Sequence, residues 1–229
     1  MSKQIAVNCG GLKPTNGITE LVFILDKSGS MGGMEDDTIG GFNAMIEKQK
    51  VIEGTVYIST VLFSNTSEVL HDRKELNQIQ PLTKKDYQVG GCTALLDAVG
   101  RAIKHISNIH KYARKEDLPE RTMFVITTDG QENASQEYSH NQIKDMIRKQ
   151  EQNHGWEFLF LAANIDAAKT AESIGISEDR AVNYVTEEDT VDMFEEVGRT
   201  IKEYRMSSVM PCHAGKRIEE NIKNKKSKK

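Results

Sequence analysis

The chain has 229 residues, 38% apolar and 28% charged, which suffices for a single α/β domain with its own core. No window approaches the roughly 18 uninterrupted apolar residues of a membrane span, and residues 1–9 lack the apolar core of a secretory leader, so the expected location is cytoplasmic. The net charge of −4 is uneven: residues 216–229 hold seven basic and two acidic side chains, leaving −9 on residues 1–215. That argues against a nucleic-acid-binding body and leaves at most a weak anionic contact through the basic tail.

Residues 1–17 are Gly-rich, contain Pro14 and read as an extended lead-in. Residues 19–26 form a continuous apolar strand ending in Asp26, the pattern of a strand buried on both faces. Residues 36–53 read as a helix with Ile39, Phe42, Met45 and Ile46 on one face. Strands follow at 55–64 and, more briefly, at 68–73, joined by the turn-forming Asn65-Thr66-Ser67 as an edge hairpin. Residues 74–92 are irregular. Residues 94–112 form a long amphipathic helix, and 122–128 another buried strand ending at Asp129-Gly130. A helix at 139–153, a strand at 156–163, a short helix at 167–175, a short strand at 181–185 and a helix at 186–206 complete the order. The charged segment 207–229 reads as a flexible tail.

Strands alternating with helices predict a doubly wound, mostly parallel sheet covered by helices on both faces, with one short antiparallel edge strand. One domain, 18–206, lies between the lead-in and the tail. Asp26 and Asp129 both end buried strands, so they belong on the same edge of the sheet, where such folds bind ligands. Cys9, Cys92 and Cys212 show no metal or redox spacing and read as reduced thiols.

Asp26, Ser28 and Ser30 share one loop at alternate positions, so an extended backbone aims three oxygens at one point. Thr93 follows Gly90-Gly91-Cys92 and opens a helix, and Asp129 ends Thr127-Thr128-Asp129-Gly130. Taken singly, each reads as a cap or a turn. An oxygen-only cluster suits a hard cation, magnesium first.

Together the five residues resemble the metal-ion-dependent adhesion site of the von Willebrand factor A domain, whose motif is Asp-x-Ser-x-Ser, a Thr in a second loop and an Asp in a third. The resemblance covers about residues 18–206 and implies Mg²⁺, or Mn²⁺, held by Asp26, Ser28, Ser30, Thr93 and Asp129. It further implies that the cation captures an Asp or Glu carboxylate of a protein partner. Stand-alone members of this compact type resemble bacterial or phage proteins. Gln131, Glu132, Asn133, Asn164 and Asp166 are expected on the partner-facing rim, with Asp166 also a candidate helix cap.

A metal-dependent hydrolase or phosphatase is the competing class, and a structural domain with an unused site is another. Of the six histidines only His140 falls near the start of an element that faces the cluster, and phosphate-binding or nucleophile-turn motifs are missing. The expectation is therefore a binding module and not an enzyme.

Overall fold

The structure is a computed structural model that describes residues 17–163, 165–184 and 187–227. Six strands, β1 (Thr19–Asp26), β2 (Val56–Phe63), β3 (Ser67–Glu75), β4 (Arg121–Thr128), β5 (Glu157–Ala163) and β6 (Ala181–Tyr184), form one sheet in the order β3-β2-β1-β4-β5-β6. All neighbouring pairs are parallel except β2 and β3. The antiparallel edge strand is not short: it runs nine residues, with register shifts opposite Ile58 to Val61.

Helices α1 (Glu35–Lys50), α5 (Glu187–Ser207) and α6 (Ala214–Lys226) cover one face, and α2 (Leu95–Tyr112), α3 (His140–His154) and α4 (Ala167–Ser173) the other. The alternation in β1 explains its unbroken apolar run. Leu21, Phe23 and Leu25 pack with Phe42, Phe194 and Val197, whereas Val22 and Ile24 pack with Val99, Ile103 and Ile143. Local signals set the helix ends. Ser139 and Gln142 form a reciprocal capping box on α3, and Gly155 closes that helix in the left-handed region at φ +63°.

Two sequence expectations concern the termini. The lead-in lies outside the described residues except for Gly17. The expected flexible tail is instead largely helix. Ala214, Ile218 and Ile222 of α6 recur at every fourth position and are buried in the core beside Val182 and Ile201. Glu219 on the same helix accepts the Asn183 backbone N–H at 2.6 Å, satisfying a donor on the open edge of β6. Several of the tail's basic side chains pair with acidic groups of α5. Lys225 pairs with Glu195 at 2.8 Å, Lys226 with Asp189 at 2.8 Å, and Arg217 with Glu203 at 2.9 Å.

Candidate metal centre

The strand register carries three loops to one edge of the sheet. β1 is parallel to β2 and β4, with Asp26 level with Phe63 and Leu25 level with Thr127. The loop after β1 therefore emerges beside the one after β4, and the start of α2 sits across from both. Backbone bonds lace the loop after β1 to the segment that leads into α2: Gly29 N–H donates to Gly91 O at 3.0 Å, and Gly90 N–H to Lys27 O at 2.9 Å.

Asp26, Ser28, Ser30, Thr93 and Asp129 come together in this structure. Thr93 Oγ1 donates to Ser28 Oγ at 3.0 Å, the Ser28 and Ser30 hydroxyls share a hydrogen bond at 3.1 Å, and Ser30 Oγ donates to Asp129 Oδ1 at 2.5 Å. A chain of three hydroxyls thus spans the loops and ends on a carboxylate. Asp26 stands behind it, wholly buried, accepting the Ser28 backbone N–H at 2.7 Å and the Thr128 hydroxyl at 2.6 Å. Ser30 is the exposed member.

Electrostatics make this arrangement costly without a counter-charge. Burial pushes the Asp26 carboxyl up to about 6, against the lowering effect of its bonds from Thr128 and Ser28, and burial pushes Asp129 upward as well. Below them lie two buried phenols. Tyr87 donates to the Asp26 carbonyl oxygen, and Tyr184 feels both carboxylates; burial raises both hydroxyls above the usual tyrosine range. No cation side chain bonds to either carboxylate among the described contacts, and a divalent ion beside them would supply the missing charge.

The residues fit such an ion. The donor set is all oxygen, two carboxylates and three hydroxyls, and among the described residues no group of three His, Cys, Asp or Glu side chains is placed to hold a metal ion. Gly130 leaves the cradle open. A Cβ there would lie 2.6 Å from Thr93 Oγ1 and 2.9 Å from Ser30 Oγ, filling the space between the loops.

The residues expected on the rim occupy different environments. Gln131 is exposed beside Gly130. Glu132 faces the protein: its carboxylate accepts the backbone N–H of Leu96, an amide donor left free in the first turn of α2, and those of Ala134 and Ser135 in its own loop, at 2.8–3.0 Å. Asn133 is exposed, yet its amide oxygen is committed to the Thr93 N–H. Asp166 caps α4 by accepting the Lys169 N–H at 3.0 Å. Asn164 lies outside the described residues.

Sequence reasoning missed Thr128 and Gly130. Thr128 had a signal, a hydroxyl one residue before the aspartate in an otherwise apolar strand. Gly130 read as half of an Asp-Gly turn.

The sheet order and the three-loop oxygen cluster define a Rossmann-like α/β domain with a candidate cation site at the carboxyl edge of its strands. Residues 20–197 match the von Willebrand factor type A domain model, and the chain belongs to that family. No curated protein matches the sequence. Among solved structures, the chain is similar to the vWF domain of the type V pili tip protein Mfa5 from Porphyromonas gingivalis, at 12% identity and TM-score 0.56, covering 82% of this chain and 96% of that one. It is also similar to proximal thread matrix protein 1 from the mussel byssus with a zinc-occupied MIDAS motif, at 15% identity and TM-score 0.55, covering 81% and 46%. A third is the ArnB paralog VWA2 from Sulfolobus acidocaldarius, at 19% identity and TM-score 0.50, covering 84% and 46%. The chain thus spans about half the length of the mussel and Sulfolobus proteins, and at these identities the likeness concerns the fold.

Proposed function

We propose that Asp26, Ser28, Ser30, Thr93 and Asp129 form a complete adhesion site that holds Mg²⁺, with Mn²⁺ as an alternative, and that the protein uses it to capture an Asp or Glu of a protein partner. The observation that carries this reading is the hydroxyl chain from Thr93 to Asp129, drawn from three loops and roofed by a residue without a side chain. When bound, the cation supplies an electrophilic centre for an external carboxylate. The chain's own residues do the rest. Ser28 and Thr93 present neutral oxygens, which cancel none of a cation's charge. Asp26, held by Thr128 and the Ser28 amide, fixes the first loop. Ser30 and Gln131 are open to an incoming partner.

Binding without catalysis is part of this reading. Four histidines hydrogen-bond elsewhere: His71 to Thr60, His105 to Asp72, His110 to Glu20 and His213 to Asp179. None of these supplies a base at the cluster. In this reading the domain is a cytoplasmic one of the bacterial or phage type. Another protein of this fold carries zinc in its site, which supports a divalent ion without selecting one.

Affinity capture tests the reading. The full chain and its Asp26→Ala variant are incubated with lysate, with and without chelator. Specific partners are expected only for the wild type with metal. Partners that survive both the substitution and the chelator would rule out a metal-bridged contact.

A further inference from the structure

Thr93 is gripped from outside its own loop. Asn133 Oδ1 accepts the Thr93 backbone N–H at 2.9 Å, and the Asn133 N–H donates back to Thr93 O at 3.1 Å. The preceding residue is held from the other side: the Cys92 N–H donates at 2.8 Å to Oδ1 of Asn65, in the turn between β2 and β3. Gly91 makes room for that amide. It sits at φ +83°, and a Cβ on it would lie 2.0 Å from Asn65 Oδ1. Two consecutive amide donors are thus claimed by two asparagines from the flanking loops. The Thr93 side chain is left pointing at Ser28.

Asn133 is itself anchored. Glu132 ties its segment to the Leu96 N–H, and the buried carboxylate of Asp97 accepts the N–H groups of Gln136, Glu137 and Tyr138 at 2.9–3.0 Å. The Asp97 N–H in turn donates to Ser135 Oγ at 3.1 Å. Segment 132–138 and the first turn of α2 therefore exchange bonds in both directions. Any shift of one against the other must break several of them, and Asn133 transmits that rigidity to Thr93.

We propose that Asn133 is a positioning residue for the cation site. It supplies no oxygen to the cradle, but it fixes the backbone of Thr93 so that the hydroxyl faces Ser28. The inference rests on the metal-binding reading above. A side chain that only stabilised the loop would affect melting and leave affinity unchanged. A side chain that orients a ligand affects affinity, typically by 10- to 100-fold.

The test is titration of Mn²⁺ into the chelator-treated full chain, with free ion read by electron paramagnetic resonance and melting followed in parallel. Asn133→Ala is expected to weaken binding by about tenfold. Asn133→Asp keeps the acceptor oxygen and is expected to retain most of the affinity. Asn133→Gln keeps the amide but moves its oxygen by one methylene; it is expected to behave like Ala, and it replaces the Ala variant if that one does not fold. Wild-type affinity in Asn133→Ala or Asn133→Gln, or equal loss in Asn133→Asp, would overturn this role while leaving the metal site standing. Failure of the wild type to bind Mn²⁺ would overturn both.

Discussion

Ser30 Oγ and Asp129 Oδ1, ninety-nine residues apart in sequence, lie 2.5 Å apart as donor and acceptor. The contact joins the loop after β1 to the loop after β4 and closes the cradle on its exposed side.

Asp26 gives a pH signature. Its folded pKa, about 6, lies above the ordinary value of 3.8. Between those values the folded state holds the proton and the unfolded state has lost it. This group's contribution is therefore greatest below about pH 4 and falls as pH rises through 6, by on the order of 3 kcal/mol. In chelator, Asp26→Asn should remove that slope, so the variant gains on the wild type between pH 4 and pH 7. Urea denaturation at several pH values measures it; parallel pH curves would contradict the buried-carboxylate assignment.

Glu195 predicts the opposite sign at α6. A hydrogen bond from Lys225, aided by Lys48, holds its carboxyl down at about 2. Its contribution is present above the ordinary value near 4.5 and is lost as pH falls through 2. The group is one-third exposed, so salt should weaken the effect. Glu195→Gln is expected to flatten the acid limb of the stability curve at low ionic strength. An acid limb unchanged by the substitution would mean that the Lys225 pair contributes nothing measurable.

Ile218 tests whether α6 belongs to the folded domain. Its side chain is 1% exposed, within the core that includes Val182 and Ile201. Ile218→Ala should destabilise the protein by about 2–5 kcal/mol, as deletion of buried aliphatic atoms does. A loss below about 0.5 kcal/mol, the range of ordinary surface substitutions, would show that the helix is not docked.

Much of the fold was legible because burial on both faces leaves an unmistakable pattern. β1 and β4 read as unbroken apolar runs, and their terminal aspartates had to share an edge once the sheet was parallel. Asp26 and Asp129 stood out as polar residues at the ends of apolar strands, whereas Ser28, Ser30 and Thr93, each a cap or turn when taken singly, were picked out by their match to the family's motif. α6 was hidden because only Ala214, Ile218 and Ile222 mark its buried face among closely spaced lysines, and composition outweighed period. The bonds that Glu132 makes to Leu96 and Asn133 to Thr93 were not legible, because those backbone amides lie some forty residues away in sequence. Nothing in the local sequence tells an outward side chain from one that turns back to cap a distant turn.

The central claim is that this cluster binds a divalent cation, and calorimetric titration of Mg²⁺ and Mn²⁺ into wild type and Asp129→Ala tests it most directly. The account predicts one site per chain in the wild type, abolished or severely weakened by the substitution, with matching loss of metal-dependent thermal stabilisation. No binding at millimolar metal, or equal binding by both proteins, would contradict it.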